Sequence, residues 1–192
     1  MADITGTYEL GPGAGRVLVK TGREGLAARA GHDLTLEITQ WSARVTVPGA
    51  EGGGIAAATL TAELDLGSLA VREGTGGAKP LSDKDRRDIQ NQARKILGNA
   101  GQARFNSTSV LDSASPTGGG AIEGTLTLNG ASRPLRLAVT SPSPGQYRGS
   151  TTIRQSDFRI TPYSGFFGAL KLRDEVTVEF QVTIEEPPNG GG

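Results

Sequence analysis

The chain has 192 residues, room for one domain of ordinary size and enough to bury a core without metals or disulfide staples. Its 20 basic and 20 acidic side chains cancel, so nothing marks it as a nucleic-acid binder; with no Cys and a single His, it has no disulfide, thiolate metal site, cysteine nucleophile or His-rich metal centre. Gly (29) and Pro (10) make up about a fifth of the residues and aromatics only 5%, the composition of an all-β chain with many turns between short apolar elements.

The opening Met1-Ala2-Asp3-Ile4 has neither a basic nor an apolar leader, and the longest apolar run, Ile55 to Ala58, is too short to span a bilayer. The expectation is a soluble, cytoplasmic protein with no membrane span. From there, period-two alternation dominates. Val17 and Val19 begin it, and Leu34, Leu36 and Ile38 share a face. The parity then changes to Trp41, Ala43, Val45 and Val47, which predicts a bulge or corner near Thr39-Gln40. Ala58, Leu60, Ala62, Leu64 and Leu66 form the next row.

Ser82 and Asp85 have capping-box spacing ahead of an apolar stripe at Ile89, Ala93, Ile96 and Leu97, and Gly98-Asn99 supplies the stop. This predicts one helix over about 83–97, packed on a sheet or closing a barrel end. Further strands are expected around Ala103–Val110, Ile122–Leu128, Leu135–Val139, Tyr147–Ile153 and Glu175–Ile184. Asn129-Gly130 predicts a type I′ hairpin turn. Gly49–Gly54 and Ser113–Gly120 read as loops. The organisation expected is one domain over 1–186 with a flexible Pro/Gly tail over 187–192. Some eight consecutive strands on short links point to an antiparallel up-and-down sheet, whose edges are best removed by closure into a barrel.

The order of motifs resembles the YceI-like family, bacterial proteins whose lipocalin-like barrel binds polyisoprenoids. The resemblance runs from Gly6-Thr7-Tyr8 to about Ile184. Tyr8-Glu9-Leu10 followed by Arg16-Val17-Leu18-Val19-Lys20 is similar to that family's first hairpin. Gly124 to Leu135, with Leu126-Thr127-Leu128-Asn129-Gly130 and Ser132-Arg133-Pro134, is similar to its most recognisable segment. Arg104-Phe105-Asn106, Ile153 to Ile160, and Leu172-Arg173-Asp174-Glu175 resemble its later strands. The resemblance implies non-catalytic binding of an isoprenoid quinone or polyprenyl lipid, without cofactor or metal, with a homodimer left open.

Strand parity turns Val17, Val19, Leu34, Leu36, Leu60, Leu64, Phe105, Leu126, Leu128 and Leu137 inward, where they line either a cavity or a filled core; parity does not choose between them. Phe158, Tyr163, Phe166 and Phe167 gather four of nine aromatics within ten positions. The three phenylalanines are candidate ligand contacts at a barrel mouth, and the alternative is a plug. His32, Tyr163 and Arg154 are headgroup candidates. Asp65, Asp83, Asp85 and Asp88 read as surface ion pairs rather than an acid–base cluster, and no Gly-x-Ser-x-Gly elbow provides a nucleophile for His32. The rival readings are an enzyme working on a lipid in the same cavity, and a packed interaction module with Phe166 and Phe167 on its surface.

Overall fold

In the computed structural model, which describes residues 5–98, 101–112 and 119–185, the alternating rows become twelve antiparallel strands and one α-helix. They are β1 (Gly6–Leu10), β2 (Gly15–Glu24), β3 (Asp33–Ile38), β4 (Trp41–Val47), β5 (Thr59–Asp65), β6 (Leu69–Thr75), α1 (Asp83–Leu97), β7 (Gln102–Asp112), β8 (Gly119–Leu128), β9 (Ala131–Ser143), β10 (Gln146–Arg154), β11 (Ser164–Gly165) and β12 (Leu170–Thr183). The hydrogen-bonded path is β1-β4-β5-β7-β8-β9-β10-β12-β2-β3-β6, with β11 added to β12. The loop expected over 113–118, the stop residue Asn99 and the tail from 186 onward lie outside the described residues; Gly119 and Gly120 open β8.

Twelve strands stand where about eight were expected because three long strands are each broken once and the two-residue β11 is added beside β12. Gly6–Leu10 pairs with Val47–Ala43, and Val17–Thr21 with Ile38–Leu34, so β1 and β2 run in succession along one neighbour made of β3 and β4. That neighbour pairs with β5 and β6 in the same way: Trp41 opposes Leu64, and Ile38 opposes Leu69. The meander is therefore preserved, and β12 returns to pair with β2. The first hairpin expected from Tyr8-Glu9-Leu10 and Arg16 to Lys20 does not form. These are two halves of one bent strand, turned at Gly11–Ala14, where Ala14 N–H donates to Gly11 O at 2.8 Å.

Each break coincides with a change of inward parity: Leu10 to Val17, Ile38 to Trp41, and Leu66 to Leu69. Two lie side by side and are bonded together. Thr39 Oγ1 donates to Ser68 O (2.8 Å), Gln40 N–H to Ser68 Oγ (2.9 Å) and Asp65 N–H to Gln40 O (3.0 Å). Strand β6 escaped sequence reading because its alternation is short. Pairing steps from Thr35–Glu73 to Leu36–Val71, leaving Arg72 as an unpaired bulge.

The helix forms as read. Ser82 and Asp85 exchange both bonds of a capping box. Its apolar stripe turns toward the sheet interior, with Ile89, Ile96 and Leu97 packed on the core. Its polar flank covers an edge: Arg86 Nη1 donates to Val71 O (3.2 Å) and Arg72 O (3.0 Å), and Gln90 Nε2 to Leu69 O (3.4 Å). Strand β6 ends the path, so these donors occupy carbonyls that would otherwise invite another strand.

Candidate functional site

The inward face of the curled sheet encloses one large cavity of about 2060 Å³, with walls drawn from β1 to β10, β12 and α1. It is lined mainly by Val, Leu, Ile and Ala. Leu60, Leu64, Leu135, Leu137, Ile153 and Val178 point inward yet remain only half-buried. In a filled barrel these side chains would be hidden by one another; here their unburied surface faces the cavity. The interior is therefore a lined space rather than a packed core. It exceeds the roughly 300–1,000 Å³ of an ordinary small-molecule site.

Polarity is not spread evenly. The charged groups in the wall, Lys79, Asp85 and Asp88, lie together with His32 at the α1 end. His32 Nε2 donates to Lys79 O at 2.7 Å, because a carbonyl only accepts. Asp85 accepts from Ser82 N–H (2.9 Å) and Ser82 Oγ (2.6 Å), which hold its carboxyl below the usual carboxylate range. Asp88 takes the Lys84 ammonium at 2.6 Å, and that contact raises Lys84 above its ordinary value. Toward the opposite end the wall is formed by Pro48, Ile55, Leu111, Pro142, Pro144 and Ile184. There Tyr147 is pushed up from its ordinary value by burial, and further by the nearby Tyr8. Among the described residues no group of three His, Cys, Asp or Glu side chains could hold a metal ion.

The family model for the YceI-like domain matches residues 19–184. The chain belongs to the YceI-like family. The YceI-like fold is shared with solved structures at low sequence identity. Burkholderia cenocepacia BcnA superposes with a TM-score of 0.56 at 18% identity, over 88% of this chain and 96% of that one. A polyisoprenoid-binding domain from Saccharophagus degradans, implicated in plant cell wall breakdown, gives 0.53 at 13% identity, over 95% and 99%. The Campylobacter jejuni YCEI protein gives 0.50 at 14%, over 79% and 85%. No curated protein matches by sequence.

In this YceI-like barrel the cavity wall contains Val17, Val19, Leu34, Leu36, Leu60, Leu64, Phe105, Leu126, Leu128 and Leu137. It also contains His32 and Tyr163. Four expected site residues lie elsewhere. Arg154 faces outward, away from the cavity wall, in an ion pair with Glu175 at 3.2 Å. Phe158 is only 2% exposed and packs in the core outside the cavity wall, beneath Asn129, whose Nδ2 donates to Phe158 O at 3.1 Å. Phe166 and Phe167 are 65% and 112% exposed. Left-handed backbone at both, φ +49° and +54°, carries their rings away from the interior. Asp85 and Asp88, read as surface groups, also reach the cavity mouth. Sequence reasoning passed over Trp41, Val178, Phe180, Ile89, Ala93 and Ile96 as wall residues. Their signal was visible, since each sits on an alternating row or on the helix stripe.

Proposed function

We propose that this YceI-like protein binds a single long apolar molecule, an isoprenoid quinone or polyprenyl lipid, within the cavity and holds it without chemical change. The observation that carries this reading is the pairing of a cavity of about 2060 Å³ with charged groups at one end only. Burial of an isoprenoid tail against this wall is favourable by roughly 25 cal/mol per Å² of apolar surface removed from water. A polar headgroup would meet His32 and Tyr163 at the α1 end. The polyisoprenoid-binding domain of Saccharophagus degradans shares this fold and supports the same ligand class.

The test is native mass spectrometry of gently purified protein, followed by organic extraction and by titration with a long-tailed ubiquinone. Trp41 is the chain's one tryptophan and stands in the cavity wall, so its emission reports entry of a quinone ring. The expected result is a stoichiometric added mass that extracts as an isoprenoid, or saturable quenching of Trp41 at one quinone per chain. Apo protein that takes up neither quinones nor polyprenols would overturn the reading.

A second reading has one observation in its favour: His32, Asp85 and Asp88 all reach the same mouth. Catalysis there would need a group free to move a proton. The Asp85 carboxylate is held by Ser82 and made a weaker base, and Asp88 is bound to Lys84. Conversion of a loaded polyprenyl ester or quinol to a different mass during incubation would favour an enzyme.

A further inference from the structure

Outside the cavity, two loops meet beside its α1 end. The connection between β2 and β3 and the one that enters β12 are joined by Ala27 N–H donating to Ala169 O at 2.8 Å. Gly25, at φ +97°, makes the approach possible, since a Cβ there would overlap the Ala169 carbonyl oxygen. At the tips stand Leu26, 101% exposed, with Phe166 and Phe167. Ala30, Gly31 and Leu170, close neighbours of these tips, belong to the cavity wall. The apolar projection is therefore continuous with the mouth.

Bulky aromatics rarely occupy left-handed backbone, and two in succession that place rings in water carry strain with no burial in return. The two loops and the segment before α1 carry basic side chains only. Residues 25–32, 76–82 and 158–173 contain Arg29, Lys79, Arg159, Lys171 and Arg173 and no carboxylate, in a chain whose net charge is zero. All five are exposed, and none is in an ion pair among the described residues. The acids stand at the ends of the flanking elements: Glu24, which opposes Lys171 across β2 and β12, with Asp33, Asp83, Asp85, Asp157 and Asp174.

We propose that Leu26, Phe166 and Phe167 dock this face on an anionic lipid bilayer, with Arg29, Lys79 and Lys171 against the headgroups, so that the mouth opens toward the membrane that supplies the ligand. The source of the ligand rests on the binding reading above; the docking surface does not. Apolar side chains enter the interface while basic side chains around them meet anionic lipid, the combination that holds peripheral proteins on membranes. A second copy of this chain fits poorly, because a two-fold contact would set the five cations against themselves.

The test is co-sedimentation with vesicles of phosphatidylcholine alone and of an equal mixture with phosphatidylglycerol. The variant is Phe166→Asn with Phe167→Asn, since Asn accepts left-handed backbone and the fold is kept. The wild type is expected to pellet with the anionic vesicles, less so at high salt, and the double variant to lose about tenfold or more of that partitioning. Quinone delivered in detergent should still quench Trp41 in both proteins. Vesicle binding without quinone uptake would keep the surface and discard the ligand. Wild-type protein left in the supernatant, a variant that binds equally, or a wild-type dimer that the variant converts to monomer would overturn the proposal.

Discussion

At the scale of single residues, the decisive property of the wall is that large side chains end in open space. Leu64 opposes Trp41 and Ala103 across its two neighbours, and its inner surface faces the cavity. Overpacking a filled core costs about 1–3 kcal/mol, but here the added ring of Leu64→Trp has room. We expect Leu64→Trp to unfold in urea within about 1 kcal/mol of the wild type and to lose quinone uptake, read by native mass spectrometry. Leu126→Trp is the sterner case, because Leu126 is buried directly opposite Phe105. Unfolding of both variants would mean that the interior behaves as a packed core.

At the scale of elements, α1 has two roles that share residues along one helix. Ile89, Ala93 and Ile96 close the cavity, while Arg86 and Gln90 occupy carbonyls on the β6 edge. Loss of a hydrogen bond leaves its partner in need of another, and an edge carbonyl finds water or a second strand. Arg86→Ala should therefore raise amide exchange in Leu69–Thr75 and in α1 together, with little change in β8 or β9. Exchange confined to the helix would show that the two elements are independent. The hairpin turns follow more local rules. Asn129 and Gly130 adopt the left-handed conformations (φ +50° and +69°) that their residue types allow, so this turn was legible in the sequence. The bend between β1 and β2 was not, because a Gly-rich turn looks the same whether it reverses a strand or redirects it.

For the whole molecule, the charge balance is spent on the outer face of the sheet. Arg44 meets Glu9, Arg104 meets Glu63, Arg136 meets Glu123 and Arg154 meets Glu175, each directly across a pair of strands. Arg16 and Arg72 both converge on Glu37, whose side chain is 13% exposed. Arg16, and Arg72 beside it, hold the Glu37 carboxyl below its ordinary value against the opposing effect of burial. A carboxylate with a lowered folded pKa adds stability above its unfolded value and loses it as pH falls through the folded one. Glu37→Gln should thus destabilise by about 1 kcal/mol at pH 7, and the difference should shrink as pH falls through and below the ordinary glutamate range. Urea unfolding at several pH values measures it; a constant gap would refute the linkage.

What the sequence by itself determined is the set of local periodicities. Inward rows such as Leu34-Leu36-Ile38 and Val176-Val178-Phe180, the parity change at Thr39-Gln40 and the Ser82 cap are consequences of neighbours a few bonds apart. They settle which face of each element is apolar, and so the barrel-like architecture and most of the cavity wall. Only the tertiary structure decided that the wall surrounds empty space, because that depends on how far apart opposing strands stand. It also decided that His32, Lys79 and Asp85 meet at one mouth, across up to 53 positions of chain. Phe158 and Phe167 show the same division: alike as aromatics within ten positions, one is buried beneath Asn129 and the other stands in water. Left-handed backbone at Phe166 and Phe167 goes with their exposure and separates them from Phe158.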